Sequence, residues 1–123
     1  MFLYSPNMWL VLATAVVAVI IGVVWYSKIS PAEIGGIPAN RRLAILGVAA
    51  LLESYVLAHL VYYTGAYTWL EGAKTGLWIW FGFIVSNLSI SAAVAGRSPK
   101  TWYVDAGYQL ILLLVMGALL ATW

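Results

Sequence analysis

Glu53 and His59 are the residues whose chemistry needs explaining first, because both fall inside a stretch apolar enough to cross a membrane. That stretch runs from Arg41 to Thr64, RRLAILGVAALLESYVLAHLVYYT. A carboxyl group there could hold a proton, bind a cation or accept hydrogen bonds. The single imidazole could relay a proton or bind a ligand. Ionisable groups are costly in hydrocarbon, so at that depth they mark a function or a specific polar partner. At 1.5 Å per residue, Glu53 lies roughly 15 Å from the start of its span, near the midplane of a ~30 Å core. His59 lies about 9 Å further along, but six steps of ~100° turn it some 120° away from Glu53. The two cannot form a local acid–imidazole pair. His59 lines up instead with Tyr55 and with Tyr62-Tyr63.

Three further polar residues fall within apolar segments. Asp105 and Gln109 are four residues apart and share a helix face, with Gln109 roughly 10 Å deep. Asn87, counted back from Gly96, comes to a similar depth. Asp105, Gln109, Asn87 and Glu53 are therefore expected to form a polar ladder from one interface to the midplane, which His59 and Tyr55 would continue outward. No Lys or Arg lies deep in any span. Glu53 must then carry its proton, or a cation or hydrogen-bond cluster must compensate it. The competing reading is structural: Glu53 as a neutral acid bonded across a helix interface, His59 bonded to a tyrosine or carbonyl, and Asp105 as an interfacial carboxylate near Lys100. Asn87 and Gln109 would then be interhelical glue.

Metal and covalent chemistry find little support. One His, with Glu53 on a different face, is not a ligand cluster, and no HExxH or paired-His spacing occurs. The absence of Cys excludes disulfides, thiolate sites and a cysteine nucleophile. No nucleophile–base–orienter set is evident, so an enzyme is not the expectation, and no cofactor or metal is predicted. The net charge of +2 comes from scattered basic residues, which argues against nucleic acid as a partner.

The elements that position these residues follow from composition. The chain of 123 residues is 64% hydrophobic and 8% charged, against about 25% charged in a soluble domain. So few charges could not cover its surface in water, and membrane lipid is the expected surroundings. Four spans are predicted, at about 8–26, 43–63, 73–95 and 102–122, giving an all-α, four-helix transmembrane bundle in a single domain 1–123. The first lacks a basic leading segment and is read as a span, not a secretory signal. Pro31, Gly35-Gly36 and Pro38 break the first connection, Thr64 to Glu71 is a turn around Gly65, and Ser98-Pro99 suits an N-cap and first helical position. Ala18/Gly22 and Gly117/Ala121 are small-residue pairs that permit close helix approach. Gly72/Gly76, at a span's end, is expected to contribute little. Lys28, Arg41, Arg42, Arg97 and Lys100 lie on one side and Lys74 on the other. Loops 27–42 and 96–100 are therefore expected in the cytoplasm, with both termini outside.

Four fragments, WYSK (Trp25 to Lys28), SYVLAHL (Ser54 to Leu60), GLWIWFGF (Gly76 to Phe83) and DAGYQLILLLVMGALLATW (Asp105 to Trp123), together resemble domain-of-unknown-function family seventeen-sixty-one. The resemblance runs in order over nearly the whole chain. It implies a small four-helix integral membrane protein of the bacterial inner membrane and supplies no activity. In the family an Asn usually stands where this chain has Asp105.

The residues favour an oligomeric channel or carrier for protons, a cation or a small cationic solute. Four helices enclose little volume, so the path is expected between subunits of a homo-oligomer. One alternative is a structural or accessory membrane protein in which the polar residues lock helices together. Another is a lipid- or quinone-binding protein, or a lipid-modifying enzyme, using His59 and its tyrosines.

Overall fold

A computed structural model describes residues 7–29 and 39–122. Pro31, Gly35-Gly36 and Pro38 lie outside the described residues. Every regular element among those described is helical. Helix α1, Met8–Val24, continues into a wide π turn, Trp25–Ile29. Helix α2 is Ala39–Tyr63. The third span is built from α3, Trp69–Ile79, a second π turn, Trp80–Ile84, and α4, Val85–Ala95. Helix α5 is Pro99–Ala121. The four segments long and apolar enough to cross a membrane are Met8–Lys28, Asn40–Tyr63, Trp69–Ala95 and Pro99–Ala121. This is a four-helix membrane protein.

The later spans begin three or four residues earlier than hydropathy suggests, and for the third and fourth capping chemistry sets the start. Asn7 opens α1, its Oδ1 accepting from the backbone N–H groups of Trp9 at 3.0 Å and Leu10 at 3.4 Å. Thr68 and Glu71 form a reciprocal capping box, so Glu71 belongs to the first turn of α3 and not to the preceding turn. Ser98 caps α5 with Pro99 just inside. Helix α2 stops where Gly65 takes φ +73°. Its N–H bonds the Tyr62 carbonyl and that of Ala66 bonds Val61, a Schellman closure that an L side chain would strain.

Helices α1, α2 and α5 contact one another, and the third span lies mainly against α5. In lipid no hydrophobic force sorts the helices, so close fit and polar contacts must do it. Val11, Thr14, Ala15 and Ala18 of α1 and Ala50, Ser54, Leu57, Ala58 and Val61 of α2 are buried, and the two helices are in contact. Fully buried Ser54 donates its hydroxyl to the Val11 carbonyl at 2.9 Å. Ser54→Ala is expected to cost about 1 kcal/mol, read as a lower detergent-unfolding midpoint with unchanged helix content.

The closest crossing is between α3 and α5. A Cβ added at Gly72 would strike the Gly117 carbonyl, and one at Gly76 the Leu113 carbonyl. Gly72/Gly76, expected to contribute little, is thus the backbone-to-backbone contact that holds the third span. Trp80 Nε1 then donates to the Ala106 carbonyl at 2.8 Å, and Trp102 Nε1 to Ser89 Oγ at 3.1 Å.

Candidate functional site

A chain of polar groups rises from one end of the bundle toward its middle, through residues of α1, α2 and α5. At the surface, Arg97 Nη1 lies 3.9 Å from Asp105 Oδ2, with Arg97 about half exposed. Arg97 also lines an open groove of about 420 Å³ with Ser89, Ala92 and Trp102. Asp105 accepts a second, shorter contact: the Tyr26 hydroxyl donates to its Oδ1 at 2.6 Å. A bond that short is typical of an O–H donating to a charged carboxylate. Tyr26 stands on the π turn after α1. The extra residue per turn there re-aims successive side chains, and both Trp25 and Tyr26 meet α5.

Tyr108 forms the next level. Its ring meets Tyr26 edge-on with centroids 5.2 Å apart, and Trp25 lies tilted at 6.5 Å. The ring is buried, and its hydroxyl sits over Gly22, where an added Cβ would come within 2.9 Å of the oxygen. Gly22 therefore makes room for this phenol as well as for helix approach. Tyr108 and Glu53 lie within electrostatic reach of each other, which ties the midplane acid of α2 to the tyrosine of α5. Glu53 is partly buried and has no hydrogen-bond or ion-pair partner among the described residues. Beside this line, Thr14 Oγ1, Trp25 Nε1 and Gln109 Oε1 are buried polar atoms without a partner. Such atoms are uncommon in native interiors and carry a desolvation cost wherever they occur.

The structure thus brings Glu53 and Asp105 to the line of Tyr108 and Tyr26, and encloses Gln109 Oε1 beside it. It does not bring the other three residues there. Asn87 is exposed on α4. The half-buried positions of that helix are Val85, Leu88, Ser91 and Ala92, and Asn87 points about 100° away from the middle of the face they define. His59 and Tyr55 lie on the far side of α2, as the 120° rotation requires. His59 Nδ1 is 2.9 Å from the Tyr55 carbonyl, and its ring stands between those of Tyr55 at 4.7 Å and Tyr63 at 6.2 Å. An aromatic column, not an extension of the ladder, occupies that half of the helix.

Tyr26, Tyr108 and Arg97 were not among the residues expected from sequence. Tyr108 follows Asp105 by three residues and so shares its face, a signal that was present. Tyr26 reads in sequence as an interfacial aromatic, and nothing local points it at Asp105. Among the described residues no group of three or more His, Asp or Glu stands together as a metal site.

The family model described as protein of unknown function (DUF1761) matches residues 9–121. No curated protein and no solved structure matches the chain. The matched region contains all four spans apart from Met8, together with each level of the polar chain, and on that match the protein belongs to the DUF1761 family.

Proposed function

We propose that this membrane protein conducts protons, or carries a small cation in exchange for them, through the interior of the α1–α2–α5 group. The observation that carries the reading is Glu53, an acid near the middle of its span with no hydrogen-bond or ion-pair partner among the described residues, within electrostatic reach of Tyr108, whose ring meets that of Tyr26, the donor to Asp105. A tyrosine hydroxyl both donates and accepts. Tyr26 is hydrogen-bonded to Asp105, and with water bridging Tyr26 to Tyr108 and Tyr108 to Glu53 a proton can pass between the two carboxyl groups without either leaving its helix. Thr14, Gln109 and Trp25 offer acceptors and a donor to a water molecule or cation in transit. Arg97 and the groove beside it form the mouth. The basic residues Lys28, Arg41, Arg42, Arg97 and Lys100 stand in the terminal turns and connections at this end, which by the positive-inside rule is cytoplasmic, with both termini outside. The family resemblance favours a bacterial inner membrane.

The test is reconstitution into liposomes holding a pH-sensitive dye, with a valinomycin-clamped potential as driving force. Wild-type protein is expected to collapse the gradient faster than empty liposomes, and equal rates would sink the reading in favour of a structural role. Asp105→Asn is expected to lower flux only modestly, because an amide oxygen still accepts from Tyr26 and the site lies near water. An Asp105→Asn loss as deep as that of a midplane substitution would place the critical acid at the mouth.

A further inference from the structure

From residue 77 to the end of α4 no residue of the third span is buried, yet this stretch carries the exposed polar residues Ser86, Asn87 and Ser89. Asn87 is exposed and makes no hydrogen bond among the described residues. It lies eight residues before Ala95, about 12 Å into the hydrocarbon. A lone carboxamide facing lipid is unfavourable, and Asn in a span ordinarily bonds across to another helix. The chain's own helices do not supply that partner.

The residues around Asn87 say what does. Asn87, Ile90 and Val94 of α4 are separated by three and four residues, the spacing of a heptad seam, and Phe83 stands before them on the π turn. All of them are exposed, Phe83 to 73%, Ile90 to 64% and Val94 to 84%. In such a seam Asn87 and Val94 occupy one core position and Ile90 the other. A single Asn at the first of these positions is the arrangement that sets register and favours two parallel strands. Gly82, Ser86 and Ala93 flank the seam with small side chains, and a Cβ at Gly82 would meet nothing within 4 Å. A carboxamide carries both a donor and an acceptor, so two copies related by a twofold axis satisfy each other. Copies inserted with the same orientation run this helix parallel, which brings Asn87 opposite Asn87.

We infer that α4 is the interface of a parallel homodimer, with the seam Asn87–Ile90–Val94 of one copy against the same seam of the other. The inference is independent of whether the protein conducts. It leaves the α1–α2–α5 interior, with Glu53, inside each protomer.

The natural absence of Cys makes the test direct. Single substitutions Asn87→Cys, Ile90→Cys and Val94→Cys in native membranes are oxidised, with Val16→Cys, a lipid-facing site on α1, as reference. Disulfide-linked dimers are expected at the seam positions and not at Val16. Linking at Val16 as readily as at the seam, or no linking at any seam position, would overturn the interface. Asn87→Leu is expected to weaken dimerisation about tenfold, measured by energy transfer between labelled copies diluted in liposomes. Circular dichroism of the same variant monitors its helix content. Unchanged or stronger association of helical Asn87→Leu would overturn the role given to the carboxamide.

Discussion

Glu53→Gln is expected to lower proton flux in liposomes by about 100-fold, the usual scale for removing a group that gives and takes a proton in the limiting step. Gln keeps the shape and polarity of the side chain and removes only its titration. Helix packing should not change, so the loss reads chemistry and not folding. Glu53→Asp restores a carboxyl but draws it back by one methylene, away from α5, and should recover part of the rate. Flux that survives Glu53→Gln would remove the midplane acid from the mechanism. Tyr108→Phe offers a second reading of the same path, since it leaves the ring against Trp25 and Tyr26 and deletes only the hydroxyl.

The second large effect concerns architecture. Gly76→Leu is expected to destabilise the protein by about 3 kcal/mol, because even a Cβ there meets the Leu113 backbone carbonyl. Backbone cannot swing aside as a side chain can, so α3 and α5 must separate. The hydrogen bond from Trp80 to Ala106 and the approach of Gly72 to Gly117 both depend on that crossing. Gly47→Leu is the matched comparison, since an added Cβ at Gly47 meets nothing within 4 Å, and it should leave stability nearly unchanged. Titration of helix content with a denaturing detergent measures both. Equal midpoints for the two variants would show that the α3–α5 crossing contributes little to stability.

Against these expectations, the sequence was informative wherever the physics is local. The rise and turn of a helix place Glu53 near the midplane and rotate His59 120° from it, and the structure keeps the two on different sides of α2. Ser98-Pro99 marks the start of α5. Thr68 and Glu71 have capping-box spacing, and only the hydropathy pattern suggested that the helix began later. The aromatic alignment of Tyr55, His59 and Tyr63 follows from spacings of four.

The relations between helices were not legible in the same way. Asn87 and Gln109 have the same depth and similar chemistry in sequence, yet Gln109 turns toward the interior and Asn87 toward lipid. Gly72/Gly76 looks peripheral in a hydropathy profile and proves to be the tightest crossing. Tyr26 reads as a belt residue until a π turn aims it at Asp105, seventy-nine positions away.

What the sequence determined alone was that four helices are long and apolar enough to cross a membrane, how far along its helix each polar residue stands and how those on one helix are angled to each other. Backbone geometry and the cost of charge in hydrocarbon suffice for that. Which faces meet was decided only by the tertiary structure. Lipid is as apolar as the helices themselves, so an apolar face has little preference for one neighbour over another. The choice then falls to close fit at Gly22, Gly72, Gly76 and Gly117 and to a few polar contacts such as Ser54 with Val11, which exist only once the helices are assembled.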